Sequence, residues 1–201
     1  MKLAPFLLAL TFALPAAAQR DADPHTVLGI LGGYASPSSD AFNSLADGGT
    51  SIAAYVTRPL YRSLGWRAGL GYDYFSTASG DLFFPTPSPT GPTNLFCDTG
   101  CEQPSSLRGD IGLQLGGHRL HTTMPYTFAT LGFTSFALGE PERDRETDFQ
   151  FAFGSGLNWS VGKHWGLGIE FRLNAVFVKD QPSDVGTQWY SATALQFFWL
   201  F

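Results

Sequence analysis

Apolar and polar residues alternate along the segment from 165 to 178. The odd positions from Trp165 to Phe177 are all apolar, whereas the even positions include glycines, Glu170, Arg172 and Asn174. A period of two is typical of a β-strand with one apolar face. The segment also exceeds the roughly 9 to 11 tilted residues that a strand needs to cross a bilayer. The pattern therefore predicts a membrane-spanning strand.

Similar alternation predicts seven further strands. They lie at 25–34, 51–61, 66–74, 110–116, 125–138, 149–160 and 188–201. The segments 51–61 and 125–138 are ambiguous in register, and both faces of the second are apolar, so alternation alone does not identify their inward faces. A β-bulge in the second segment would explain its pattern, because an extra residue exchanges the two faces of a strand.

The connections between these strands alternate in length. Long segments rich in Pro, Ser, Asp and Gly lie at 36–47, 77–105, 139–146 and 179–187, and short turns lie near 62–64, 119–124 and 161–164. Long external loops and short periplasmic turns are typical of an outer-membrane barrel. We therefore expect an all-β fold, an eight-stranded antiparallel up-and-down transmembrane β-barrel. Its interfacial aromatic girdle is expected to contain Trp66, Tyr126, Trp159, Trp165, Trp199 and Phe201.

The N-terminal segment has the pattern of a secretory signal peptide. Lys2 precedes an apolar run that ends at Pro15, and Ala16 to Ala18 supply the small residues for cleavage. We expect residues 1–18 to be the signal peptide and residues 19–201 to be one barrel domain. The latter carries 11 basic and 17 acidic residues without a basic run, so nucleic acid is not expected as a partner.

Six charged residues fall on the predicted inward face. They are three bases and three acids: Arg67, Asp73, Arg108, Asp110, Glu170 and Arg172. An eight-stranded barrel is only wide enough for side chains to fill it. Buried charges need partners, because an unpaired charge in a dry interior is very unfavourable. We therefore expect an ion-pair network that plugs the lumen, with an ion-conducting gate as the alternative.

The chain resembles the small outer-membrane barrels, namely the OmpA-type transmembrane domain and the OmpX, Ail and opacity-protein barrels. The resemblance rests on the signal-peptide pattern, the eight strands, repeated Gly-x-Gly patterns and the terminal Phe. It implies that Phe197, Trp199 and Phe201 form the C-terminal signal that the barrel-assembly machinery reads. It also implies a location in the bacterial outer membrane, surrounded by outer-membrane lipid.

The long connection 77–105 contains two candidate functional features, a pair of cysteines and a Pro-rich stretch. Cys97 and Cys101 are expected to form a disulfide, because export leads to an oxidising compartment. A metal site is the alternative, with only Asp98 and Glu102 available to complete it. The Pro-rich stretch 85–92 is stiff and extended. It is either a variable surface loop or a recognition surface for an extracellular ligand.

The function predicted from these patterns is structural and adhesin-like, with surface loops that contact a partner. A narrow porin-like channel is the alternative, and a soluble lipocalin-like barrel or a lipid A-modifying enzyme is less favoured. The four histidines are predicted near the periplasmic half, and no triad-like set of catalytic residues can be assembled from them: His25, His118, His121 and His164. We expect no enzymatic activity, no catalytic residue, no cofactor and no metal.

Overall fold

The structure, a computed structural model, contains a closed barrel of eight antiparallel strands in sequence order, with β8 paired to β1. It describes residues 25–39, 46–61, 63–77, 105–117, 122–137, 146–177 and 187–201. The strands are β1 Val27–Pro37, β2 Ala46–Tyr61, β3 Leu64–Thr77, β4 Ser105–Gly116, β5 Thr123–Ala137, β6 Glu146–Ser160, β7 Trp165–Phe177 and β8 Gln188–Leu200. The predicted fold class is therefore confirmed. Within the described ranges no helix is long and apolar enough to cross a membrane.

The strands alternate between an outward apolar row and an inward row, as β7 illustrates. Leu167 and Ile169 are exposed on the outside of the barrel, while Glu170 and Arg172, at the even positions that follow, are buried inside it. The same separation applies in β1, where Leu28 and Ile30 point outward. An apolar exterior around a polar interior is the arrangement that a bilayer stabilises.

The two ends of the barrel differ in their connections. At the turn end, short connections join β2 to β3, β4 to β5 and β6 to β7. The β6–β7 turn is closed by the Val161 and Gly162 amides, which donate to the Trp165 carbonyl at 3.1 and 3.0 Å. The chain also closes there, because Thr26 and Phe201 exchange two backbone hydrogen bonds of 3.1 and 2.9 Å. The strand ends that the longer connections join all lie at the opposite end, the loop end.

The two strands that were ambiguous in sequence have definite registers. β5 pairs residue by residue with β6 from Thr123 to Phe136 without a shift, so the bulge suggested for 125–138 is wrong. The irregularities occur instead between β2 and β3, near Ala46 and near Pro59. Both faces of β5 are apolar for another reason, because its inward row contains aromatic side chains that fill the lumen.

The aromatic residues near the turn end lie mostly on the outside. Trp159 and Trp165 are exposed, and Trp66 and Trp199 are half-buried. Tyr126 is the exception. It points into the lumen and is fully buried, so its predicted place in the interfacial girdle is wrong. Alternation in β5 is uninformative about this residue because both of its faces are apolar.

Candidate functional site

The candidate site is the barrel lumen, where the structure brings the six predicted charged residues together as three buried ion pairs. Arg67 Nη2 lies 2.7 Å from Glu170 Oε2. Arg172 Nη2 lies 2.5 Å from Asp110 Oδ2, and Arg108 pairs with Asp73. The pairs of Arg67 with Glu170 and of Arg172 with Asp110 join strands that are not neighbours, whereas the pair of Arg108 with Asp73 joins the adjacent strands β4 and β3.

The pair closer to the turn end is embedded in aromatic rings. The Arg67 guanidinium lies between the ring of Tyr55, at 4.0 Å, and the ring of Phe128, at 4.1 Å. Its Nη2 donates to both oxygens of Glu170, at 2.9 and 2.7 Å, and its Nη1 donates to Gln114 Oε1 at 3.1 Å. Cation–π stacking and charge-assisted hydrogen bonds thus act on the same side chain.

Two tyrosine hydroxyls complete this group. Tyr126 donates to Glu170 Oε2 at 2.7 Å and also lies 3.2 Å from Gln196 Oε1. Tyr55 donates to the same Gln196 oxygen at 3.1 Å. We call the following residues the Arg67 layer: Tyr55, Arg67, Gln114, Tyr126, Phe128, Glu170 and Gln196. Phe128 stacks on Arg67, and the other six residues form a continuous hydrogen-bonded network across the lumen.

Glycines in the barrel wall make room for these rings. A Cβ on Gly156 would lie 2.3 Å from the Tyr126 ring, and one on Gly29 would lie 2.2 Å from the Tyr55 ring. These distances are far below van der Waals contact, so only glycine allows the rings to lie against the wall. The Gly154-x-Gly156 pattern therefore has a packing role, since Gly154 accommodates Phe128 in the same way.

The other two ion pairs lie closer to the loop end, and we call them the loop-end pairs. Asp73 accepts hydrogen bonds from Arg108, from the Ser51 hydroxyl at 2.6 Å and from the Tyr190 hydroxyl at 3.0 Å. The Ser51 and Tyr190 hydroxyls thus support the Asp73 carboxylate.

Arg172 is held in a similar way. Its Nε donates to Asn174 Oδ1 at 2.7 Å, and its Nη2 lies 3.5 Å from the Thr130 hydroxyl. Gln150 Nε2 donates to the same Asn174 oxygen at 3.0 Å. Hydroxyl and amide groups thus complete the polar network in this half of the lumen.

Apolar side chains close the lumen beyond the polar layers. Toward the loop end, buried residues form one cluster: Ala35, Phe75, Val176, Tyr190 and Ala192. Toward the turn end, a second cluster contains Val27, Leu31, Tyr55, Met124, Ala194, Phe198 and Leu200. Apolar constrictions exclude water and so oppose ion passage. Apolar side chains therefore close the described lumen on both sides of the polar layers.

The apolar exterior and the filled polar lumen agree with the sequence comparison. The sequence matches the family described as the outer membrane protein beta-barrel domain over residues 4–197. The chain belongs to this family. The protein is accordingly located in the bacterial outer membrane, as the residue pattern and its resemblance to small barrels predicted. No curated protein sequence matches the chain.

Solved structures of outer-membrane barrels share the fold at low identity. Neisserial surface protein A is 12% identical with a TM-score of 0.57, covering 90% of this chain and all of its own. OprG from Pseudomonas aeruginosa is 11% identical with a TM-score of 0.52, covering 91% of this chain and 98% of its own. Ail of Yersinia pestis is 10% identical with a TM-score of 0.50, covering 89% of this chain and 99% of its own.

The three residues predicted as an assembly signal lie together on the outside of this outer-membrane barrel. The Phe197 and Trp199 rings meet edge to face with centroids 4.2 Å apart, and Phe201 is 71% exposed. The His25 Nδ1 atom lies 3.3 Å from the Phe201 carbonyl oxygen. The reading of these residues by the assembly machinery stays a prediction.

Other predicted features lie outside the described residues. They are the signal peptide, Cys97 and Cys101, the Pro-rich stretch 85–92, and His118 and His121. The disulfide and the cleavage therefore stay predictions. His25 and His164 lie near the turn end, as expected from the topology.

The sequence reasoning identified the charges of the lumen but missed its aromatic residues. Tyr55 and Phe128 stack on Arg67, and Gln114 and Gln196 tie the layer together. A signal for the rings was present in the chain. Glycines at inward positions of one strand leave space that a large inward side chain of a neighbouring strand has to fill.

Proposed function

We propose that this protein is a closed, non-enzymatic barrel that acts through its surface connections, as a structural element and a contact point of the outer membrane. The observation that carries the proposal is the filled lumen. Three ion pairs, the rings around Arg67 and two apolar clusters occupy the space that a pore would need. A barrel of this kind offers its connections, not its interior, to partners.

The charge of the longer connections indicates the chemistry of such a partner. Segments 38–45, 78–104, 138–145 and 178–187 together contain nine acidic and three basic residues. The acidic ones are Asp40, Asp81, Asp98, Glu102, Glu140, Glu142, Asp144, Asp180 and Asp184. The basic ones are Arg143, Arg145 and Lys179. This excess of negative charge favours a cationic ligand, because complementary charge speeds and selects encounters.

A polyanionic ligand fits this chain poorly. Ail has been solved in complex with sucrose octasulfate, a heparin analogue, which establishes a polyanion as a ligand of that protein. The segment 78–104 of the present chain has three acids and no base. Like charges repel the same class of ligand here, so we propose a different partner chemistry on a shared fold.

The proposal is tested by exchanging the longest connection. Residues 78–104 would be replaced by a short Gly-Ser turn, and binding of a fluorescent Lys-rich peptide to proteoliposomes would be compared with the intact barrel. We expect salt-sensitive binding to the intact protein and a loss of at least tenfold in affinity for the variant. A scrambled 78–104 segment of equal charge is the control for simple electrostatic attraction. Absence of binding to the intact barrel would contradict the proposal.

The narrow channel is the second candidate, and one observation favours it. Buried polar atoms in the lumen lack a hydrogen-bond partner among the described residues, including Arg67 Nε, Asp110 Oδ1 and Gln196 Nε2. Such atoms are commonly satisfied by buried water. A liposome-swelling assay with small sugars separates the two functions. Swelling above protein-free vesicles would support the channel, and its absence would support the closed barrel.

A further inference from the structure

Positive charge is concentrated at the turn end of the barrel. The three short turns with their flanking residues, 58–66, 114–126 and 157–168, contain four bases and no acid. The bases are Arg58, Arg62, Arg119 and Lys163. Two acids, Asp21 and Asp23, precede β1 in the sequence and lie outside the described residues. The longer connections have the opposite balance, with nine acids and three bases, so the two ends favour partners of opposite charge.

Arg58 brings one of these charges onto the outer wall of the barrel. The Thr57 hydroxyl points into the lumen and donates to Gln114 at 3.1 Å, so its neighbour Arg58 points outward, where it is exposed. Arg58 pairs directly with Trp66 across β2 and β3, and Trp66 belongs to the outward row of β3. Aromatic girdles mark the membrane–water interfaces of such barrels. The Arg58 guanidinium is therefore within reach of lipid headgroups.

A second base lies in the β6–β7 turn, next to another tryptophan. Lys163 is exposed, and Trp165 begins β7 with its ring on the outside of the barrel. A Cβ on Gly162 would lie 2.5 Å from Trp165 Nε1, so the indole packs against the turn that carries the lysine. The Trp165 ring also lies 5.7 Å from the Phe197 ring between centroids. The lysine thus adjoins an aromatic surface that continues onto β8.

The two bases belong to one continuous stretch of the barrel end. The turn that carries Lys163 is joined to β8, because the Leu200 amide donates to the His164 carbonyl at 2.8 Å. β8 pairs with β1, and β1 pairs with β2, which carries Arg58. Neighbouring strands are about 4.8 Å apart, so several lipid headgroups can contact the wall between the two bases. We call the following residues the turn-end rim: Arg58, Trp66, Lys163 and Trp165.

The bases of the turn-end rim have no acidic partner in the described part of the chain. The three ion pairs found there all lie inside the lumen. His25 is not counted with these bases, because its Nδ1 already lies 3.3 Å from the Phe201 carbonyl oxygen. A charged side chain at the edge of the hydrocarbon region is unfavourable without a partner. A phosphate group is a suitable one, because arginine donates two parallel hydrogen bonds to it.

We propose that the turn-end rim binds the headgroups of anionic phospholipids in the periplasmic leaflet of the outer membrane. Arg58 and Lys163 donate to the phosphate oxygens, and Trp66 and Trp165 contact the interfacial part of the lipid. A headgroup with a net negative charge is preferred over a zwitterionic one, because the turns carry bases without acids. This surface lies at the opposite end from the longer connections, so the proposal does not depend on their partner.

The test compares stability in vesicles that differ only in their headgroups. The refolded protein would be inserted into vesicles of phosphatidylcholine, with or without phosphatidylglycerol of the same acyl chains, and unfolded by urea with tryptophan fluorescence as the readout. We expect phosphatidylglycerol to stabilise the folded barrel. Arg58→Gln/Lys163→Gln should reduce this stabilisation about 25-fold in the unfolding equilibrium, or about fivefold for each base near an anionic surface. Arg58→Lys keeps the charge and should retain most of the effect.

Two controls separate the turn-end rim from general effects of charge. Arg143→Gln/Lys179→Gln removes two bases from the longer connections and should keep the full preference for phosphatidylglycerol. Inorganic phosphate added to phosphatidylcholine vesicles should not stabilise the barrel, because the headgroup is held by the bilayer beside the rim. Equal losses in the two double variants, stabilisation by inorganic phosphate, or equal stability of the intact barrel in both lipids would overturn the proposal.

Discussion

The two halves of the lumen hold the same kinds of charge but support them differently. In the Arg67 layer, two rings at about 4 Å enclose the guanidinium, and both oxygens of Glu170 accept its hydrogen bonds. In the loop-end pairs, the Ser51 and Tyr190 hydroxyls donate to Asp73, and Arg172 donates to Asn174. Equal charge therefore does not mean equal packing.

This difference in packing indicates which half of the barrel is more rigidly closed. The Tyr55, Tyr126 and Phe128 rings lie close against wall glycines, so the Arg67 layer cannot rearrange without moving the wall. Arg172 has alternative acceptors in Asn174 and Thr130, so it can exchange hydrogen-bond partners at a smaller cost in free energy. We expect the turn-end half to be the seal and the loop-end half to be the adaptable part.

The largest loss of stability is expected when a single carboxylate is removed. One carboxylate from each half is replaced in two separate variants. Glu170→Ala leaves the charge of Arg67 buried without a carboxylate partner, which should lower the free energy of unfolding by about 3–5 kcal/mol. Asp110→Ala should have a smaller effect, because Arg172 retains Asn174 and Thr130. Urea unfolding in lipid vesicles, followed by tryptophan fluorescence, measures both. Equal losses, or a larger loss for Asp110→Ala, would remove the proposed distinction between the halves.

A smaller effect is expected from the glycines that accommodate the rings. Gly156→Ala introduces a Cβ 2.3 Å from the Tyr126 ring and should destabilise the barrel by about 1–3 kcal/mol through overpacking. Gly32→Ala is the matched control, because its Cβ would meet no atom within 4 Å. The same unfolding measurement applies. A neutral Gly156→Ala variant would mean that the rings are not held against the wall.

An effect of comparable size is expected from the single hydroxyl groups that donate to these carboxylates. Tyr126→Phe removes the hydrogen bond to Glu170 and should destabilise the barrel by about 1.5–3 kcal/mol, the range for a bond to a charged group. Tyr190→Phe removes the corresponding bond to Asp73 and should be milder, since Ser51 still donates to that carboxylate. Comparing the two variants by equilibrium unfolding sharpens the contrast. A smaller loss of stability for Tyr126→Phe than for Tyr190→Phe would contradict the expected contrast.

The sequence predicted much of the fold because alternation is a local property. The glycines, Glu170 and Arg172 of β7 face inward simply because they occupy even positions in a strand. Alternation does not identify the partners of these residues. Glu170 meets Arg67 from a strand over 100 residues away, and only the order and register of the closed barrel bring them together.

Tyr126 shows why the rest of the site was not predictable from alternation. Its strand is apolar on both faces, so an aromatic residue that fills the lumen resembles one that faces lipid. The deciding information lies on the neighbouring strand, where Gly156 pairs with Tyr126 directly. Cross-strand pairing of a large side chain with glycine is visible only once the register is known.

Single-channel recording in planar bilayers tests the central claim most directly, that the lumen is closed and that its turn-end half is the seal. The intact barrel would be compared with Tyr126→Ala/Phe198→Ala at the turn end and Phe75→Ala/Tyr190→Ala at the loop end. We predict no steady conductance from the intact barrel or the loop-end variant, and openings from the turn-end variant. Steady conductance of the intact barrel, or openings confined to the loop-end variant, would contradict the account.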